Sequence, residues 1–243
     1  MKVCSPRPDL LDPNVIGNVL DRFRRESRLS QRLQNESIIE YRDFGDHVKT
    51  PFLVMELASG SIKDRLTEKG RLSIQEVAEA GRRVVGGLRH LHAQNIVHRD
   101  IKPPNILVTR CGIVLGDLGI ARWGDLNRDF TGAGTITKAA VQLGSWYYMP
   151  LEQAENAHAA TSASDVYALG VTCIELLTGS VPSPQRVAAG QVPPPSDERL
   201  LNDLIVRMTA YLPSDRPSLD DIEEILRIVQ TRHTVVGGKR SSG

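Results

Sequence analysis

A segment in the second half of the chain, from Asp165 to Leu177, is apolar on nearly all sides when it is placed on a helix. A helix of that kind is stable only when other elements cover it. Gly179 follows at a position that suits the end of a helix. The sequence therefore predicts a buried helix around which the rest of the chain must pack.

Helix-start signals precede several amphipathic segments. These signals are Asp12-Pro13, a capping box formed by Ser73 and Glu76, and a similar pair formed by Ser218 and Asp221. Apolar residues recur behind each signal at the spacing of one helix face. We therefore expect three further helices that pack through one face.

Two pairs of short apolar segments predict strands. The first pair, 38–44 and 52–55, is separated by a Gly-Asp turn region, and the second pair is 106–108 and 113–115. The short glycine-containing turn inside the second pair predicts a hairpin. From 118 to 149 the periodicity is lost, and so long a connection inside a compact domain is usually functional or mobile.

Polar residues lie at the open end of the predicted hairpin. Asn105 precedes its first strand and Asp117 follows its second, and antiparallel pairing brings these two ends together. Amide and carboxylate oxygens are ligands that suit Mg²⁺. Asp100 lies just before Asn105, within reach of a hydroxyl nucleophile, and Lys102 supplies positive charge. Phosphoryl transfer requires a metal, a positioned acceptor and charge neutralisation, so the segment predicts such a centre.

Composition excludes several other classes of protein. The 243 residues carry a formal net charge of +1, which argues against a polyanion-binding surface and so against a nucleic-acid partner. No apolar run is long enough to predict a membrane span. The three cysteines, Cys4, Cys111 and Cys173, show no CxxC spacing, which fits a reducing cytosol and gives no metal framework. We therefore expect a cytoplasmic protein.

Five motifs, in order along the chain, resemble those of the eukaryotic-type protein kinases. "HRDIKPPN" (98–105) resembles the catalytic loop, and "DLG" (117–119) resembles the metal-binding D-F-G with leucine in place of phenylalanine. "GSWYYMPLE" (144–152) resembles the segment that closes the activation loop, "SDVYALG" (164–170) resembles the buried helix after it, and "DRPS" (215–218) supplies the arginine that pairs with the glutamate of that closing segment. The chain is identified as a member of this family, most like its bacterial Ser/Thr kinases.

The resemblance implies a kinase that uses ATP and Mg²⁺ and transfers the γ-phosphate to a Ser or Thr hydroxyl of a protein substrate. It assigns Asp100 as the catalytic base, and it assigns Asn105 and Asp117 as the metal ligands. Lys102 would contact the γ-phosphate and marks Ser/Thr specificity. Ser145 stands where a threonine usually contacts the catalytic loop.

The same resemblance implies an adenine site and two lobes. Met55 takes the gatekeeper position, Glu56 and Ala58 offer backbone groups of the hinge, and Leu107 lines the floor below the adenine. The expected fold is α+β, the two-lobed protein kinase-like fold with an incomplete N-lobe sheet. Its expected parts are a shortened N-lobe at 1–57, a helical C-lobe at 58–231 and a disordered tail at 232–243.

Structural roles follow for other residues. Glu152 would pair with Arg216 inside the C-lobe, and Asp165 would accept hydrogen bonds from the backbone of the catalytic loop. We interpret His98 as a packed core histidine and His92 as a helix surface residue. The candidate phosphorylation sites in the activation loop are Thr131, Thr135 and Thr137.

The amino-terminal region departs from the family pattern. No G-x-G-x-x-G precedes the catalytic loop, yet Lys2 falls in register with the ATP-binding lysine and Glu26 with its helix partner. Two hypotheses stay open: an active Ser/Thr kinase, or a kinase-like binding or scaffold protein with little turnover. A small-molecule phosphotransferase is a third, which the H-R-D form disfavours. We expect the natural reading frame to start upstream of Met1.

Overall fold

The structure is a computed structural model in which part of the chain is described. The described residues are 2–3, 20–21, 23–24, 27–28, 30–31, 33–48, 50–117, 144–156 and 159–237, with the backbone alone at 2–3 and 234–237. The predicted helix start at Asp12-Pro13 lies outside these residues.

A three-stranded antiparallel sheet forms the small lobe. Its strands are β1 (Lys2–Val3), β2 (Tyr41–His47) and β3 (Thr50–Met55), arranged in the order β1-β3-β2. Lys2 pairs with Leu53 across β1 and β3. Helical residues between 20 and 30 accompany this sheet, and Arg24 joins the two because its guanidinium donates to both carboxylate oxygens of Asp46 at 3.1 and 3.2 Å.

The boundaries of β2 differ from the prediction. Residues 38–40 lie outside the strand, because Ile38 forms an isolated bridge with Leu115 and the Ile39 amide donates to the carbonyl of Leu115 at 2.9 Å. Gly45 lies inside the strand and not in the turn, opposite Phe52, whose ring covers the glycine. The apolar residues at 38 and 39 therefore connect the small lobe to the large one.

A second sheet contains the predicted hairpin. Its strands are β4 (Gly60–Ser61), β5 (Ile106–Thr109) and β6 (Gly112–Leu115), in the order β4-β5-β6. Ile106 faces Leu115 at the open end of the hairpin. The prediction of this hairpin is confirmed.

Helices make up most of the large lobe. They are α1 (Ile62–Lys69), α2 (Ile74–Ala93), α3 (Leu151–Glu155), α4 (Ser162–Thr178), α5 (Pro184–Ala188), α6 (Arg199–Met208) and α7 (Leu219–Gly237). The capping boxes at Ser73 and Ser218 are present, so those two predicted helix starts are confirmed. No described helix has the length and apolarity that crossing a membrane requires.

Helix α4 is the predicted buried helix, and it packs against α2 and α6. Every residue from Ser164 to Leu177 is buried. The helix ends at Gly179, whose φ of 83° is the left-handed conformation that glycine adopts most easily. Helix α7 packs along α2 and continues to Gly237, so the chain is helical beyond 231, where the sequence predicted a disordered tail.

Candidate active site

The catalytic-loop residues form one buried cluster. The ammonium nitrogen Nζ of Lys102 lies 3.0 Å from Oδ2 of Asp100, and it donates to the Ser145 hydroxyl at 2.7 Å. The amide nitrogen Nδ2 of Asn105 donates to the carbonyl and to Oδ2 of Asp100, both at 2.8 Å. All four side chains are buried. A carboxylate, an ammonium and an amide therefore share one small polar centre.

The hairpin brings Asp117 to this centre. The Gly116 amide donates to the carbonyl of Asn105 at 2.9 Å, so Asp117 follows directly after a residue bonded to Asn105. His98 accepts at Nδ1 from the Asp100 amide, which leaves Nε2 to donate to the carbonyl of Gly116 at 3.1 Å. His98 is thus the packed core histidine that the sequence predicted, and it joins the two segments of the centre.

Asp165 holds the backbone of the catalytic loop. It lies in the first turn of α4 with no exposed surface, and it accepts from the amides of His98 and Arg99 at 2.9 and 2.8 Å. Arg99 has a φ of 67°, a strained value for a residue other than glycine that the surrounding bonds maintain. The predicted role of Asp165 agrees with these contacts.

His92 is not the surface residue that we expected. Its Nε2 lies 2.8 Å from Oδ2 of Asp165, and its side chain is mostly buried. The prediction failed because helical spacing alone placed His92 near the end of α2, whereas the packing of α2 against α4 covers it. His92 is therefore a third donor to the Asp165 carboxylate.

The ion pair between Glu152 and Arg216 is present. Nη1 of Arg216 lies 2.6 Å from Oε1 of Glu152, and the arginine side chain is 1% exposed against 21% for the glutamate. Arg216 also donates to three backbone carbonyls and stacks over the Tyr167 ring, 5.1 Å from its centroid. Burial raises the pKa of Tyr167 to about 12, with Arg216 opposing the shift. Arg216, which precedes α7, thereby bonds both to Glu152 of α3 and to the first turn of α4.

A second buried carboxylate, which the sequence analysis missed, lies on α4. Glu175 accepts from the Tyr148 hydroxyl through Oε2 and from Nζ of Lys63 through Oε1 at 2.9 Å. Tyr148 ends the turn Ser145–Tyr148, in which Ser145 binds Lys102. Burial, and then Glu175 and Asp100, raise the pKa of Tyr148 far above its ordinary value. A glutamate inside an apolar helix was the one signal that sequence reasoning could have used.

The hinge segment connects the two sheets. The Glu56 amide donates to the carbonyl of Glu40 at 2.8 Å, and the Ser59 amide donates to the carbonyl of Val108 at 2.8 Å. Ala58 therefore lies between the small lobe and β5, the strand that carries Leu107. The Leu107 side chain covers Gly116, where an added Cβ would lie 2.5 Å from its Cδ1. Leu107 is thus placed between the hinge and the Asp117 end of the hairpin.

Five predicted site residues belong to segments of which the structure describes only the backbone or nothing. Lys2 has its backbone in β1, in register with Leu53. Glu26 and the candidate phosphorylation sites Thr131, Thr135 and Thr137 lie outside the described residues.

The donor set at the open end of the hairpin fits Mg²⁺. Both hydrogen-bonding contacts of the Asn105 amide with Asp100 use its nitrogen, so its oxygen Oδ1 lies on the other side of the amide group. No cluster of three His, Cys, Asp or Glu residues that could enclose a metal exists among the described residues. One amide oxygen and one carboxylate suit Mg²⁺, which keeps waters and binds phosphate oxygens alongside few protein ligands.

Comparison with known proteins agrees with this geometry. A family model described as the protein kinase domain matches residues 14–227. The chain belongs to the protein kinase family, and the α+β fold with a small sheet lobe and a helical lobe is the fold of that family.

The similar relatives are bacterial. Serine/threonine-protein kinase PknL of Mycobacterium tuberculosis is 40% identical over 165 residues, which is 67% of this chain and 39% of PknL. Serine/threonine-protein kinase PrkC of Bacillus subtilis is 38% identical over 163 residues, which is 66% of this chain and 24% of PrkC. The matched region thus spans about two fifths of PknL and a quarter of PrkC. The chain is a kinase-family protein most like bacterial Ser/Thr members.

Proposed function

We propose that this chain is a serine/threonine protein kinase that transfers the γ-phosphate of ATP to a hydroxyl of a protein substrate. The observation that carries the proposal is that Asp100, Lys102 and Asn105 contact one another in one buried centre. Asp117 follows Gly116, whose amide donates to the carbonyl of Asn105. The names of the relatives, serine/threonine-protein kinases, support the same activity.

Each residue of the centre has a distinct role in the proposed mechanism. Asp100 orients the acceptor hydroxyl and takes its proton. Lys102, held between Asp100 and Ser145, neutralises charge on the transferred group. Asn105 and Asp117 would hold Mg²⁺, which when bound neutralises the phosphate oxygens and orients them for displacement. The chain therefore contributes positioning and electrostatics, the two terms that dominate phosphoryl transfer.

The nucleotide would lie between the lobes. Glu56 and Ala58 would bind the adenine through hinge backbone groups, and Leu107 would form its floor. Lys2 and Glu26 are proposed as the pair that positions the phosphates.

The proposed lobes are residues 1–57 and 58–231. We also propose a reducing compartment such as the cytoplasm, which the free thiols of Cys111 and Cys173 support.

A phosphotransfer assay tests the proposal. The full chain is incubated with Mg²⁺ and γ-labelled ATP, and incorporation into Ser- and Thr-containing protein acceptors is measured. We expect the unaltered chain to place label on serine and threonine. The Asp100→Asn variant should transfer no label, whereas the control Asp203→Asn, at an exposed helix position, should transfer as much as the unaltered chain. A folded chain that binds Mg-ATP and transfers no phosphate would contradict the proposal and favour a binding or scaffold role.

A further inference from the structure

The carboxylate of Glu175 is almost completely buried and has a single charged partner in the described part of the chain. Its side chain is 3% exposed, and Lys63 is the cation paired with it. Its second oxygen accepts from the Tyr148 hydroxyl. A buried carboxylate is costly unless it is paired and hydrogen-bonded, so Lys63 offsets a charge that the core cannot tolerate alone.

This pair lies beside the proposed acceptor site. Tyr148 belongs to the turn that binds Lys102 through Ser145, and the charge of Asp100 contributes to the raised pKa of Tyr148. Helix α1, which carries Lys63, packs against the catalytic-loop turn Pro103–Asn105. Lys63 therefore lies on a helix that contacts the catalytic loop, and the Glu175 carboxylate connects it to Tyr148.

Lys63 remains available for a further contact. Its side chain is 46% exposed, and an ammonium group has three N–H donors, of which one is used for Glu175. Lys69 of the same helix differs because it pairs with the partly exposed Glu76, which belongs to the start of α2. Lys63 thus presents positive charge beside the proposed acceptor site, whereas Lys69 is paired with Glu76 and serves as a control on the same helix.

We propose that Lys63 is a specificity-determining residue that favours acceptor proteins carrying an acidic side chain close to the phosphorylated Ser or Thr. The inference rests on the proposed function and specifies its substrate class. An acidic side chain gains a charge-assisted hydrogen bond from the exposed part of the ammonium group. A basic side chain is repelled by Lys63 and finds both oxygens of Glu175 already engaged.

Removal of Lys63 should reverse the preference. In Lys63→Met the aliphatic stem is kept and the charge is lost, which leaves Glu175 as a buried anion that only a substrate cation can pair with. Glu175→Gln in the same chain removes that anion and keeps an acceptor for the Tyr148 hydroxyl. The double variant should therefore favour neither peptide.

The experiment compares two fluorescent peptides that share one central serine and differ in flanking residues, glutamates or lysines. Their dissociation constants are measured by anisotropy for the unaltered chain, Lys63→Met, the double variant and Lys69→Met. We expect the unaltered chain and Lys69→Met to bind the acidic peptide about tenfold more tightly, and Lys63→Met to bind the basic one more tightly. Lys63→Gln, which keeps a donor to Glu175, serves as the uncharged variant if Lys63→Met fails to fold.

Binding and turnover are read separately. Equal affinities for the two peptides in the unaltered chain, no measurable binding of either, or the same change in Lys69→Met as in Lys63→Met would each overturn the inference. Phosphotransfer to both peptides is followed in parallel. Selective binding without transfer would refute the proposed function alone, whereas transfer with equal binding of both peptides would refute the role of Lys63 alone.

Discussion

The side-chain nitrogen of Asn105 lies 2.8 Å from the carboxylate oxygen Oδ2 of Asp100. The proposed base and the proposed metal ligand are therefore joined by a direct hydrogen bond inside a buried centre. The bond orients Asn105 with its oxygen away from Asp100, and it fixes the carboxylate that would receive the proton. We therefore expect the proposed roles of the two residues to be coupled.

A double-mutant cycle tests this coupling. Asp100→Asn should lower kcat by about 10²- to 10⁴-fold, the usual contribution of a positioned base, with little change in ATP affinity. Asn105→Ala should also lower kcat, and the double variant should lose far less than the product of the two losses because the residues act as a unit. Independent, multiplicative losses in steady-state kinetics would show that the hydrogen bond has no catalytic consequence.

Asp117→Asn should abolish most phosphotransfer without unfolding the chain. Asp117 has a φ of 51°, a left-handed value that asparagine tolerates as well as aspartate, so the substitution removes charge and keeps the backbone. We expect half-maximal activity to require at least about tenfold more Mg²⁺ because a hard anionic ligand is lost. The Mg²⁺ dependence of activity and the thermal melting temperature are the measurements, with Asp203→Asn as the control. An unaltered Mg²⁺ requirement would disprove the assignment of Asp117.

Arg216→Ala should lower stability strongly. The variant leaves the Glu152 carboxylate without its partner and deprives three backbone carbonyls of a donor. Removing one partner of a buried ion pair lowers the free energy of unfolding by about 3 kcal/mol or more. Because Glu152 is partly exposed, we expect a loss of about 3 kcal/mol, the smallest value of that range. For a chain of this size that corresponds to a fall in Tm of roughly 6–12 °C.

Arg227→Ala is the matched control for this prediction. Arg227 pairs with Glu224 on the exposed surface of α7, and both side chains are 56% exposed. Because exposed pairs contribute little, its Tm should stay close to that of the unaltered chain. Similar shifts for the two variants in differential scanning fluorimetry would mean that the Glu152–Arg216 pair is not stabilising.

The two described cysteines should differ in reactivity. Cys173 is buried in α4, and burial raises the pKa of its thiol to about 12, so almost no thiolate forms at neutral pH. Cys111 is exposed in the hairpin turn. Iodoacetamide should therefore label Cys111 in the native chain and label Cys173 only after denaturation, as peptide mass spectrometry would show. Rapid native labelling of Cys173 would indicate that α4 is accessible to solvent.

Local signals explain which parts of the fold the sequence predicted correctly. The hairpin, the capping boxes and the buried helix each depend on residues that are close together in the chain, and the polar centre is built from one short segment and the two ends of that hairpin. The placement of Asp100, Asn105 and Asp117 therefore needed little knowledge of tertiary packing.

The failures concern contacts between distant segments. Ile38 and Ile39 resemble strand residues, but they bond to β6 of the other sheet. Lys63 is 112 positions from Glu175 along the chain, and Tyr148 is 27 positions from it. No periodicity in a single segment reports such pairs, because they form only when the folded chain brings Lys63 of α1 and the turn Ser145–Tyr148 to α4.

The hydrogen bonds to Asp165 have a consequence for amide hydrogen exchange. Loop amides usually exchange through small local openings that cost little free energy. The amides of His98 and Arg99 instead donate to a carboxylate of α4 that has no exposed surface, so freeing them would leave a buried charge without two of its donors, which is costly. These two amides should exchange with deuterium nearly as slowly as the interior of α4. The catalytic loop would then belong to the same cooperative unfolding unit as the core.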